Sequence, residues 1–205
     1  MFLIDRGLKI GHIWVLFLII ALVNVGCQAL ASSYEFKGSL RQPPLILPDF
    51  ELRDTNRQPF HLKDVEGDIT LVYFGYTACP DICPLTMWDV KKALDELEAV
   101  DQSRVHVLFV TIDPERDTPE ALSRYMASFG PQFIGLTDDI PKVADVMRQF
   151  GASAEKEEVA DSAVGYLFSH STNLYLVDPQ GNLILRYPFG FVAENLRSDL
   201  AYLLQ

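Results

Sequence analysis

The sequence predicts a three-layer α/β domain carried behind an N-terminal apolar segment, and three observations predict it. Two nearly unbroken apolar runs, Ile69–Phe74 and Val105–Thr111, have the length and composition of strands buried on both faces. Segments with helical spacing and helix-start residues follow each of them, so strand and helix alternate as they do in parallel sheets with crossover helices. Two further strands, Asn173–Val177 and Leu183–Tyr187, flank the turn Asp178-Pro-Gln-Gly and end the sheet in a hairpin.

From Ile10 to Gly26 only His12 and Asn24 are strongly polar, and a run of about 17 residues suffices to span a bilayer or to form a signal-peptide core. Arg6 and Lys9 precede it, which keeps the N-terminus cytoplasmic and exports the rest of the chain to the periplasmic side. Cys27 follows Gly26, the position of the diacylglyceryl cysteine in bacterial lipoproteins, although Asn24 stands where those signals carry an aliphatic residue. An uncleaved anchor, a cleaved signal and a lipid on Cys27 all stay open. Residues 1–27 are thus the signal or anchor segment. Residues 28–46, with Ala31-Ser-Ser-Tyr and Gln42-Pro-Pro-Leu, read as a linker, and 47–205 as the folded domain.

Within that domain, Phe50-Glu-Leu and Pro59-Phe-His flank the turn-rich Asp54-Thr-Asn-Arg and suggest a small hairpin. Leu85, Trp88, Leu94 and Leu97 recur at helical spacing, which predicts a helix opening near Pro84 and closing before Asp101. Thr118-Pro119 carries the cap and first-position proline of another helix. A short strand near Phe133, a helix from about Ile140 to Phe150 ended by Gly151, and a C-terminal helix complete the order. Of the charged residues 28 are acidic and 17 basic, and no basic cluster exceeds Lys91-Lys92, so nucleic acid is excluded as a partner class.

The chemistry gathers at Cys79-Pro-Asp-Ile-Cys83, between the first buried strand and the helix at Pro84. Thiols at a helix N-terminus favour the thiolate, which serves both disulfide exchange and a soft metal such as Cu(I). A purely structural disulfide here would close a loop of five residues, a small constraint on the unfolded chain. Asp81 between the cysteines either opposes thiolate formation or favours a bound cation. His61 reads as a hairpin side chain and His106 as a strand residue with a local partner.

The run Tyr73-Phe-Gly-Tyr-Thr-Ala-Cys-Pro-Asp-Ile-Cys-Pro84 resembles the copper site of Sco/SenC proteins. Val110-Thr-Ile-Asp-Pro-Glu-Arg-Asp-Thr-Pro119 and Ser169-His-Ser-Thr-Asn-Leu-Tyr-Leu-Val-Asp-Pro179 resemble that family's second and third signatures, and the likeness runs from about Pro48 to the C-terminus. It implies a thioredoxin-like fold in which Cys79, Cys83 and His170 bind one copper ion, Cu(I) or Cu(II). It also implies a metallochaperone in cytochrome c oxidase assembly, delivering copper to the dinuclear site of subunit II or reducing that site's cysteines. The family's paired acids fall on Asp113 and Asp117. The resemblance implies a role for them around the site or in partner docking; Asp113 stays open between that and helix-start chemistry, and Asp117 reads as helix-start chemistry. Ala78 and Ser169 depart from the family pattern, and Ser169 removes a carboxylate that would orient the imidazole.

The rival class is an exported thiol–disulfide oxidoreductase without metal, Cys79 attacking and Cys83 resolving. Three residues separate these cysteines, where thioredoxin-like reductases have two, and Ser171-Thr-Asn stands where they carry a cis-proline. Whether thiol exchange makes the protein an enzyme stays open in the sequence.

Overall fold

Every residue of Ile69–Gly75 is buried, and the strand it forms is flanked by neighbours on both sides. The structure, a computed structural model, describes residues 34–159 and 165–205; the leader, His12 and Cys27 lie outside the described residues. The chain divides into Met1–Glu35 and Phe36–Gln205, and the second unit carries the sheet and its helices.

In chain order its elements are β1 (Ser39–Ile46), β2 (Glu51–Asp54), β3 (Pro59–His61), β4 (Ile69–Gly75), α1 (Ile82–Asp95), α2 (Ala99–Gln102), β5 (Val105–Thr111), α3 (Pro119–Ala127), β6 (Phe133–Thr137), α4 (Ile140–Gln149), β7 (Ala154–Glu158), β8 (Tyr166–His170), β9 (Leu174–Val177), β10 (Asn182–Tyr187) and α5 (Ala193–Leu203). One sheet runs β1-β10-β9-β4-β5-β6-β2-β3, and β7 pairs with β8 apart from it. Strands β4, β5 and β6 are parallel, while β9, β10 and β1 on one side and β2 on the other are antiparallel to their neighbours.

Alternation along β4 sorts the helices into layers. The Tyr73 ring faces Phe109, which meets Tyr125 of α3, and Tyr125 meets Phe129, which Trp88 of α1 covers. Phe74 points the other way, against Phe150 at the end of α4 and Tyr175 of β9. Helix α5 packs on α1. Helices thus lie on both faces of the sheet, the three-layer arrangement expected from the strand–helix alternation. Gly135 lets α3 approach β6, because a Cβ there would lie 2.6 Å from Leu122 Cγ.

The structure differs from the sequence reading in three places. Ser39–Ile46, within the stretch read as linker, forms β1 and pairs with β10, its register jumping between Leu40↔Leu185 and Leu45↔Leu183. Pro43 and Pro44 fall in that jump, on an edge strand whose lost donors need no partner. The helix expected to run almost to Asp101 stops at Asp95, and extended backbone at Glu98 starts the separate α2. The β7–β8 pair gave no signal because all five residues of β7 are exposed, so no apolar alternation marks it. Among the described residues no helix is long and apolar enough to cross a membrane.

Candidate metal centre

The loop leaving β4 delivers Cys79, and the first turn of α1 delivers Cys83. Asp81 is the residue before the helix, yet its side chain makes no capping bond. The sulfur of Cys79 does so instead, accepting the Cys83 N–H at 3.4 Å, so one of the orphan amides of the helix start points at the Cys79 sulfur. Pro84 follows at a position where no N–H is needed. Cys83 is fully buried, Cys79 half-buried, and both are free.

His170 is the last residue of β8, opposite Ala154 of β7. Ser171 N–H donates to the Ser153 carbonyl at 2.9 Å, and Ser153 N–H to Ser171 Oγ at 3.1 Å, which ties the base of the two strands together. The His170 ring stands edge-on to Tyr73 and Tyr76, with centroids at 6.3 and 5.9 Å. Its Nδ1 lies 3.0 Å from the Ser171 carbonyl, an acceptor only, which assigns the proton to Nδ1 and leaves Nε2 facing the sulfurs. That carbonyl fills the orienting role that Ser169, exposed on β8, does not supply. His170 Nε2 is 3.7 Å from Cys83 Sγ across 87 positions of sequence.

The two thiols are set apart in acidity. A hydrogen bond from the Cys83 thiol, aided by the backbone at Asp81 and Cys83, holds Cys79 far below the ordinary thiol range, against the opposing effect of burial. Cys83 is pushed up, first by that same bond to Cys79 and then by burial. Cys79 is therefore the thiolate of the pair and Cys83 keeps the proton. Among the described residues no three His, Cys, Asp or Glu side chains stand gathered as a metal's ligands do; Cys83 Sγ meets His170 Nε2 at 3.7 Å, and Cys79 Sγ sits on the Cys83 amide.

Of the two acids of the second motif, Asp117 departs from its expected role. Asp113 is buried and accepts from Arg116 Nε and, at 2.9 Å, from Tyr166 OH; it reaches the site through Arg116, whose guanidinium lies over the Tyr76 ring that packs on His170. Asp117, read as helix-start chemistry, is a buried anchor instead. It accepts from Thr77 N at 2.9 Å, Thr77 Oγ1 at 2.6 Å and Thr111 Oγ1 at 2.5 Å, pinning the loop two residues before Cys79 to the end of β5. Thr118 alone caps α3, accepting from Ala121 N. Burial raises the Asp117 carboxyl above its ordinary value despite its three donors. Its spacing from Thr111 is visible in the sequence, but the pairing with Thr77 depends on the β4–β5 register. Tyr73, fully buried, places its hydroxyl 3.8 Å from Cys83 Sγ, a part of the site that sequence reasoning misses. Asp81 is exposed. His61 lies between Asp49 and Glu51, and His106 pairs with Asp68 at 3.1 Å, both away from the cysteines.

Known proteins share this arrangement's fold and much of its sequence. The SCO2-like protein of Rickettsia conorii is 37% identical over 141 residues, covering 68% of this chain and 67% of that protein. The structure of Bradyrhizobium japonicum ScoI with copper bound superposes with a TM-score of 0.69 at 32% identity, covering 77% of this chain and 99% of that one. BsSco, described as a member of the Sco family of cytochrome c oxidase assembly proteins, shares the fold at 19% identity and a TM-score of 0.63, over 81% of this chain and 97% of its own. The SCO1/SenC family model matches residues 38–205, the whole of the sheet and its helices, and the chain belongs to that family, with its thioredoxin-like fold.

Proposed function

We propose that this chain is a membrane-tethered copper-binding protein that carries one copper ion on Cys79, Cys83 and His170. It delivers the ion to the copper site of cytochrome c oxidase subunit II, or reduces that site's cysteines, during assembly. The observation that carries the reading is the meeting of the β4–α1 loop with the end of β8, where Cys83 Sγ lies 3.7 Å from His170 Nε2 and Cys79 Sγ 3.4 Å from the Cys83 amide. Two soft sulfurs and one imidazole suit Cu(I) and accommodate Cu(II) with a further ligand. An imidazole that presents Nε2 and a Cys79 sulfur held toward the thiolate are donors of the kind a metal requires. Copper in the ScoI relative and the oxidase-assembly description of BsSco agree with it. In this reading residues 1–27 hold the protein to the membrane, by helix or by a lipid on Cys27, with residues 47–205 on the periplasmic side.

A second reading is favoured by the split acidity of the thiols: Cys79 is an attacking thiolate and Cys83 a protonated resolving partner, the requirements of a thiol–disulfide reductase. The assembly role is tested by a deletion strain grown at limiting copper. Oxidase activity is expected to fall and to return with the wild-type chain but not with His170→Ala. Normal activity without the protein contradicts the role, and full rescue by His170→Ala moves the assignment to thiol reduction.

A further inference from the structure

Neither copper ligation nor thiol exchange calls for the Tyr73 hydroxyl, yet it is buried against the site. Its side chain is wholly enclosed, its oxygen lies 3.8 Å from Cys83 Sγ, within reach of an O–H···S bond, and its ring edge faces His170. Thr86, one turn along α1 from Cys83, gives its own hydroxyl proton to the Ile82 carbonyl at 2.9 Å and also borders the Tyr73 hydroxyl, whose O–H meets the Cys83 sulfur at 3.8 Å. Gly75 keeps the ring in place, since a Cβ there would lie 2.8 Å from Tyr73 Cε1. The phenol O–H is the donor that this enclosed geometry aims at the sulfur.

We infer that Tyr73 is a positioning residue for the thiol pair, its O–H holding the Cys83 sulfur in the reduced state. The inference rests on the reading of Cys79 and Cys83 as the working thiols and applies equally to copper carriage and thiol exchange. Oxidation of the pair removes two electrons, one from each sulfur, together with the single proton the pair holds, and joins the sulfurs. A thiol or thiolate accepts a hydrogen bond better than a disulfide sulfur does, so the Tyr73 donor favours the reduced side. Hydrogen bonds to a cysteine sulfur tune metal–thiolate sites in the same sense.

The test is the thiol–disulfide equilibrium of the metal-free, full-length chain in detergent, poised against dithiothreitol and read by mass spectrometry of the peptide carrying Cys79 and Cys83. Tyr73→Phe keeps the ring and loses the donor. The equilibrium is expected to move about five-fold toward the disulfide, the worth of one ordinary hydrogen bond, or about 20 mV more negative at roughly 29.6 mV per tenfold. Phe109→Leu, which loosens packing on the Tyr73 ring and leaves the hydroxyl, is expected to stay within about two-fold of the wild type. A Tyr73→Phe equilibrium within that same margin overturns the inference, as does a Phe109→Leu shift equal to it, which would assign the effect to packing. No copper enters the measurement, so a failure of copper binding leaves this result readable.

Discussion

Replacing Asp117 by alanine probes what holds the cysteine loop. The carboxylate accepts three hydrogen bonds, two from Thr77 and one from Thr111, in a buried setting. Bonds to a charged acceptor are worth about 1.5–3 kcal/mol each, but burying the carboxylate offsets part of that sum, and in the variant the two hydroxyls can turn elsewhere while the Thr77 N–H cannot. We expect Asp117→Ala to cost about 3 kcal/mol and Asp117→Asn, which keeps the volume and one acceptor, about 1 kcal/mol. Unfolding in guanidinium, followed by Trp88 fluorescence on the fragment from Glu35, reads both. The sign of the pH dependence follows from the raised Asp117 carboxyl. A raised acid contributes stability that is fully present below its unfolded value and is lost as pH rises through the folded one. The advantage of the wild type over Asp117→Asn is therefore expected to shrink as pH rises above the ordinary carboxylate range. Thr77 lies two residues before Cys79, so the alanine variant is also expected to open the buried Cys83 to iodoacetamide. An Asp117→Ala protein within about 0.5 kcal/mol of the wild type, with Cys83 still protected, refutes the anchoring argument.

Further expectations concern the thiols and the packing around them. Iodoacetamide should modify Cys79 and spare Cys83, with a rate nearly flat from about pH 8 to pH 6, because Cys79 is already the thiolate; Cys83→Ala removes its main stabilising bond and should restore an ordinary rise in rate with pH. The Cys79 contribution to stability has the opposite sign to that of Asp117: it is present above the ordinary thiol value and is lost as pH falls through the depressed one. Gly75→Ala should cost about 1–3 kcal/mol in denaturant unfolding, since its Cβ would press on the Tyr73 and Phe109 rings. Asp199 is buried and accepts from the Lys37 and Gly38 amides and, at 2.6 Å, from Tyr187 OH, so Asp199→Ala should release β1 from β10, seen as faster proteolysis within residues 36–46.

Much of this architecture is legible in the sequence because buried strands advertise themselves. Ile69–Gly75 and Val105–Thr111 carry apolar residues on both faces, and Thr118, Pro119 and Gly151 mark helix ends by chemistry that acts over a few residues. The pairing of Cys79 with Cys83 is local and readable in the same way. The position of His170 beside them is not, since it depends on a strand pair whose outer member is uniformly exposed; the family resemblance supplies what periodicity cannot. Asp117 defeats a sequence reading because helix-start chemistry and a long-range anchor look alike in one sequence, and only the parallel register of β4 and β5 brings Thr77 within its reach. Tyr73 resembles any core aromatic, because the direction of its hydroxyl is a property of the packed site.

The central claim, that Cys79, Cys83 and His170 form one copper site, is met most directly by anaerobic Cu(I) titration of the reduced fragment from Glu35 alongside Cys83→Ser and His170→Ala. The account expects one tight equivalent in the wild type and marked weakening in both variants. Weak binding by the wild type, or a His170→Ala protein that binds copper as the wild type does, contradicts it.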